Sequence, residues 1–158
     1  MKQLFFICMF AFSLALSVHA GQAKDFPDNL TFTTMDGKTV DSATLKGAPL
    51  VLVVGACWCP ECRQEAPEVQ KAYLEYKDKG VAFLYVLAVS KDEEIKEFVE
   101  TYKITYPVAK DNGIVEILGV RAIPQTFFFS KGGKFEKRIM GCATHKELTR
   151  NIEKMIAK

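Results

Sequence analysis

The chain is poor in histidine and tryptophan, with two of one and one of the other among 158 residues. Neither charge dominates: 21 Lys and Arg stand against 19 Asp and Glu, a net of +2. No Lys/Arg stripe rises out of that balance, which excludes nucleic acid as a partner. Internal repeats, low-complexity runs and long linkers are missing, leaving room for one domain around one core. No apolar run reaches the roughly 20 residues that a bilayer-spanning helix needs; the run Leu4 to Val18 is about 15. What remains, 49% hydrophobic and 25% charged, suits a soluble globular chain.

That short apolar run sits where a signal peptide would. Lys2 supplies the positive start, Leu4 to Val18 the apolar centre, and Val18-His19-Ala20 the cleavage site. Residues 1–20 are therefore expected to be removed, leaving Gly21 to Lys158, with cleavage after Ala23 also acceptable. The alternative is a retained anchor, and only then is a membrane a partner. Export places the protein in the periplasm or another extracytoplasmic compartment, where disulfides persist. Cys8 leaves with the leader, so the exported chain keeps Cys57, Cys59, Cys62 and Cys142. Residues 21–29 read as a short N-terminal segment and 30–158 as the folded domain.

Cys59-Pro60-Glu61-Cys62 follows Trp58, and the apolar stretch Leu50 to Gly55 runs directly into it. A helical pattern begins at Cys62. Two thiols two residues apart at a strand-to-helix junction can open and close a disulfide with little backbone movement. A bridge closing so small a loop constrains the unfolded chain little, which suits exchange better than reinforcement.

Along the chain, Leu30 to Val40 predicts a hairpin turning at Asp36-Gly37. Leu50 to Val54 predicts a strand buried on both faces. Ala66, Val69, Tyr73 and Tyr76 form the buried stripe of a helix that Pro67 is expected to kink or break. Val81 to Val89 is a second buried strand. Ser90 with Glu93 forms a capping-box pattern ahead of a helix carrying Ile95, Phe98, Val99 and Tyr102. Tyr106 to Ala109 predicts a short edge strand, and Ile114, Ile117 and Leu118 a short helix. Thr126 to Ser130 and Lys134 to Met140 pair through Lys131-Gly132-Gly133. Thr144 with Glu147 caps a final helix with Leu148, Ile152 and Ile156 inward. This alternation predicts an α/β fold with a mixed sheet and helices on both faces.

Trp58-Cys59-x-x-Cys62, Pro67 five residues after the second cysteine, and Ile123-Pro124 ahead of a strand resemble the thioredoxin superfamily across roughly Leu30 to Ile156. Asp36-Gly37-Lys38, Leu45-Lys46-Gly47 and the extra helix and strand over Ser90 to Asp111 are similar to its TlpA/ResA-type extracytoplasmic members. The resemblance implies a three-layer α/β/α fold with a mixed central sheet, an N-terminal β-hairpin and a central αβ insertion. It implies a thiol-disulfide oxidoreductase with a redox-active Cys59–Cys62 pair, needing neither cofactor nor metal. Its partners would be a protein thiol or disulfide substrate and an electron-donating redox protein.

Residue by residue, the resemblance makes Cys59 the attacking thiol and Cys62 the resolving thiol. Pro124 matches the family's cis-proline, with Trp58, Pro60, Glu61, Ile123 and Gly141 around the substrate surface. Glu65 matches a carboxylate placed near the buried thiol, where it would accept the Cys62 proton. Its competing reading is a solvated first-turn glutamate favoured by the helix dipole. At the helix start, unpaired N–H groups favour the Cys59 thiolate. Glu61 opposes that charge and so favours the disulfide form, which points to a reductant.

Three departures stand out. Val53 occupies the place of the buried aspartate of cytoplasmic thioredoxins. Cys57 replaces a small polar or acidic residue, and Cys142 follows Gly141 on the substrate loop. A second disulfide, an accessory redox pair and two free thiols all stay open for them, as does burial of Cys142 as a small hydrophobe.

Two rivals share these cysteines. A peroxiredoxin-like peroxidase needs a hydroxyl three residues before its thiol, where this chain has Ala56 or Val54. A thiolate metal module for copper or zinc would draw on Cys57, Cys59 and Cys62, completed by Cys142 or His145. Ligand count permits that reading, but spacing does not demand it. The substrate itself stays open, since an apocytochrome, a copper-site protein or a misfolded disulfide would use the same thiols.

Overall fold

A computed structural model describes residues 24–157. The expected signal peptide, and Cys8 within it, lie outside the described residues. Strands β1 (Thr31–Thr33) and β2 (Thr39–Asp41) form the hairpin, followed by α1 (Ser42–Lys46) and β3 (Leu50–Gly55). Next come α2 (Pro60–Tyr76), β4 (Ala82–Leu87), α3 (Asp92–Thr101), β5 (Val108–Lys110) and α4 (Ile114–Ile117). The chain closes with β6 (Gln125–Phe129), β7 (Phe135–Met140) and α5 (His145–Ile156). The central sheet runs β5-β4-β3-β6-β7, with β4 parallel to β3 and β5, and β6 antiparallel to β3 and β7.

Strand β3 is buried at every position, because both faces of the sheet are covered. Val51, Val53, Phe83 and Phe128 pack under α2, α3 and α5, while Leu50, Leu52, Leu84 and Phe127 pack under the hairpin, α1 and α4. The three-layer mixed architecture and the α3–β5 insertion are as expected. A bridge from Thr34 to Ala109 ties the hairpin to the sheet edge at β5.

Four local expectations shift. Pro67 does not break α2, which runs unbroken to Tyr76. The cap of α3 sits one residue later than the Ser90/Glu93 pattern: the Lys91 amide donates to Glu94 Oε2 at 2.9 Å. Ser90 is engaged elsewhere, its hydroxyl accepting from the Cys57 amide. On α5 the inner face is Leu148, Ile152 and Met155, with Ile156 exposed. Packing also begins ahead of Leu30, because Phe26 is buried against Phe32 and Phe129. The Thr144/Glu147 capping box forms as expected.

Candidate active site

Strand β3 delivers the chain to the motif from the middle of the sheet. Cys59 caps α2 in an extended conformation, and its sulfur accepts from the Cys62 amide at 3.4 Å. Pro60 occupies the first helical turn, where its missing N–H removes nothing from the helix. Cys59 is 6% exposed and Cys62 is fully buried, so a substrate disulfide can reach only the first sulfur. All four described cysteines carry free thiols.

Ile123 packs against Cys59 and Cys62. The Ile123–Pro124 peptide is cis, and the Pro124 carbonyl accepts from the Gly141 amide at 2.9 Å. The thiols, the proline loop and the Gly141 turn thus share one end of the sheet. Trp58, Pro60 and Glu61 are exposed beside them.

Glu65 is fully buried, which overturns the solvated reading. One carboxyl oxygen, Oε1, accepts from Thr126 Oγ1 at 3.0 Å and from the Ala143 amide at 3.1 Å. The other, Oε2, is buried without a partner. Burial pushes this carboxyl up to about 7, against the pull of its two donors. Burial also drives the Cys62 thiol far above its usual range, reinforced by the neighbouring Cys59 sulfur and by Glu65. A thiol that resists ionisation thus sits beside a carboxyl that titrates near neutrality.

The accessory thiols keep different company. Cys57 is buried near Arg63 and Glu94; Cys142 is half-buried among Glu65, Glu61, Glu68 and Glu147. Burial raises the pKa of both, and the acidic neighbours add to it at Cys142. His145 faces Glu75 at 3.1 Å. Among the described residues no three Cys, His, Asp or Glu side chains gather as metal ligands would.

Sequence reasoning missed Thr126, the Ala143 amide, Val89 and Tyr85, whose buried hydroxyl faces Cys62. A tyrosine inside a strand expected to be buried was the available signal, since its hydroxyl needs a partner. Val89 gave none. It is 87% exposed at φ +47, and its carbonyl accepts from Trp58 Nε1 at 3.2 Å. A β-branched residue in the left-handed region is strained. Val89→Gly is accordingly expected to stabilise the fold by about 1 kcal/mol, read by urea unfolding, while loosening the Trp58 ring.

A thioredoxin-type sheet with a thiol capping α2, a buried thiol one turn on and a cis-proline loop against them defines a thiol-disulfide oxidoreductase. The chain belongs to the AhpC/TSA family, whose model matches residues 21–138. It is 33% identical over 129 residues to the thiol-disulfide oxidoreductase ResA of Bacillus thuringiensis (strain Al Hakam), covering 80% of this chain and 75% of that one. It is 30% identical over 135 residues to the thioredoxin-like protein YneN of Bacillus subtilis (strain 168), covering 84% and 77%. A thiol:disulfide interchange protein from Chlorobium tepidum TLS superposes with a TM-score of 0.75 at 25% identity, covering 85% of this chain and 98% of that one.

Proposed function

We propose that the protein reduces disulfides in exported proteins outside the cytoplasm and is recharged by an electron-donating redox partner. The Cys59 thiolate attacks a substrate disulfide, forming a mixed disulfide and releasing one substrate thiolate. Cys62 passes its proton to Glu65 and attacks the Cys59 sulfur. The second substrate thiolate leaves, and two electrons have moved from the dithiol to the substrate. The observation that carries this reading is Glu65: a fully buried carboxyl beside Cys62, with its pKa raised into the range of a useful base.

The same residue supports the direction. Glu61 is exposed, so solvent and salt weaken its effect on Cys59. Glu65 opposes negative charge on Cys62 from within the core, which disfavours the reduced, ionised pair. The dithiol is thereby the better electron donor. The test is the reduction potential of Cys59–Cys62 in a Cys57→Ser/Cys142→Ser background, by equilibration with dithiothreitol buffers. A value near about −270 mV or below supports a reductant. One near about −120 mV would make the protein a disulfide donor and overturn the reading.

A further inference from the structure

Gly55 ends β3 where two reactive groups converge. A Cβ there would lie 2.6 Å from the Tyr85 hydroxyl and 3.0 Å from Cys62 Sγ. The absence of a side chain keeps open the space that the hydroxyl and the thiol share. Tyr85 comes from the middle of β4 and is fully buried, and its hydroxyl has no hydrogen-bond partner of good geometry. The Tyr106 hydroxyl and Glu65 Oε2 are likewise buried and unpartnered. The two tyrosine rings stack at 6.4 Å with an interplanar angle of 21°. Thiol, carboxyl and two phenols therefore form an enclosed polar group inside an otherwise apolar layer. Leaving a buried hydroxyl unpaired is unfavourable, and phenylalanine would fill the same volume without that penalty.

We propose that the Tyr85 hydroxyl is the hydrogen-bond donor that holds the Cys62 thiolate while it attacks Cys59. This rests on the reading of Cys62 as the resolving thiol and Glu65 as its proton acceptor. A neutral thiol sulfur is a weak acceptor, which fits a hydroxyl that faces Cys62 without a hydrogen bond of normal geometry. A thiolate is a strong one, because hydrogen bonds to ionised acceptors are stronger than neutral pairs. The proton of Cys62 goes to Glu65, the negative charge stays on sulfur, and the phenol keeps its own proton throughout. Burial, with Cys62 and Glu65 adding to it, holds the Tyr85 phenol well above its usual range. When Cys62 bonds to the Cys59 sulfur, the mixed disulfide breaks, the substrate sulfur leaves with the electron pair, and Tyr85 returns to its unpaired state.

The groups facing this reaction come from several elements. Cys59 and Glu65 lie on α2, Tyr85 on β4, Tyr106 just ahead of β5 and Cys142 just ahead of α5. Tyr106 and Cys142 face Glu65. Tyr85 is the phenol that faces Cys62.

The experiment starts from a mixed disulfide between Cys59 and 5-thio-2-nitrobenzoate in the full exported chain, in a Cys57→Ser/Cys142→Ser background. Release of the coloured thiolate across pH reports the attack by Cys62. Tyr85→Phe is expected to slow release roughly tenfold across the profile, while the inflection near neutrality, set by Glu65, stays in place. Site-specific 3-fluorotyrosine at position 85, a stronger donor of nearly the same shape, is expected to raise the rate with the same inflection. Tyr85→Phe that folds with an unchanged rate overturns the proposal; if it fails to fold, an unchanged rate with 3-fluorotyrosine does so. Cys62→Ser separates the two levels. Release that persists without Cys62 overturns the resolving-thiol reading, whereas release lost there but indifferent to Tyr85 overturns this inference alone.

Discussion

Cys62→Ser is expected to turn the catalyst into a trap: turnover on a protein disulfide falls by at least about a thousandfold and a covalent adduct on Cys59 accumulates. The first step survives, because the Cys59 sulfur caps α2 and reaches the surface while Cys62 lies beneath it. The second step fails, because a serine hydroxyl cannot displace the substrate sulfur at neutral pH. Non-reducing electrophoresis and intact mass would show the adduct, and dithiothreitol would release it. Cys59→Ser is expected to lose the same activity without forming an adduct. An adduct that instead mapped to Cys57 or Cys142 would move the attacking role to one of those thiols.

Glu65→Gln is expected to make the fold more stable and the enzyme slower. The carboxyl titrates at about 7 when folded, against 4.5 as its ordinary value. Below pH 4.5 both states hold the proton and the residue makes no difference. Between these values the unfolded chain releases it while the folded protein keeps it, so stability falls as pH rises. Each pH unit costs about 1.4 kcal/mol, or about 3 kcal/mol in all, and above pH 7 the loss is constant. Glutamine removes that slope and keeps an oxygen for Thr126 and the Ala143 amide. Its amide N–H group replaces the unpartnered Oε2, which holds the net gain near about 2 kcal/mol at pH 8. Urea unfolding of both proteins across pH 4 to 8 measures it, and parallel curves would remove the buried ionisation. Loss of the base is expected to slow resolution of the mixed disulfide by about a hundredfold. Asp36, held down to about 2 by Lys38 and Thr34, titrates outside this window, on the acid side.

Much of this was legible in the chain because the chemistry is local. A short apolar run rich in β-branched residues and bounded by turn signals suits a strand covered on both faces, so β3 and the position of Cys59-Pro60-Glu61-Cys62 at its end were expected. The Thr144 cap was readable because its oxygen and the glutamate partner lie within one turn. Glu65 was named as the carboxylate near the buried thiol but stayed between that and a solvated first-turn glutamate, because its burial depends on Thr126 and Ala143, remote in sequence and joined to it only by folding. Ser90 misled for the same reason: its hydroxyl is taken by Cys57, and the helix cap moved to the next residue. Met155 displaced Ile156 from the core because α5 is rotated by one position from the simplest reading of its apolar stripe. Tyr85 stood in plain view as one hydroxyl in a greasy strand, but its neighbour across the core is set by tertiary packing.

The anchoring of the first described residues gives the molecule a polarity. The Phe26 amide donates to the Gly133 carbonyl at 2.7 Å, and Asp25 accepts from the Phe135 amide at 2.8 Å. Both contacts grip the turn between β6 and β7. Because β6 lies antiparallel to β3, with Leu50 beside Phe129 and Val54 beside Gln125, that turn is at the far end of the sheet from the thiols. The length of β3, at about 3.3 Å per residue, separates the two ends. Chain entering at Lys24 thus meets a handle, and the redox centre is the opposite, working tip. The contacts that hold the start of the described chain and the thiols that react are kept apart by the whole sheet.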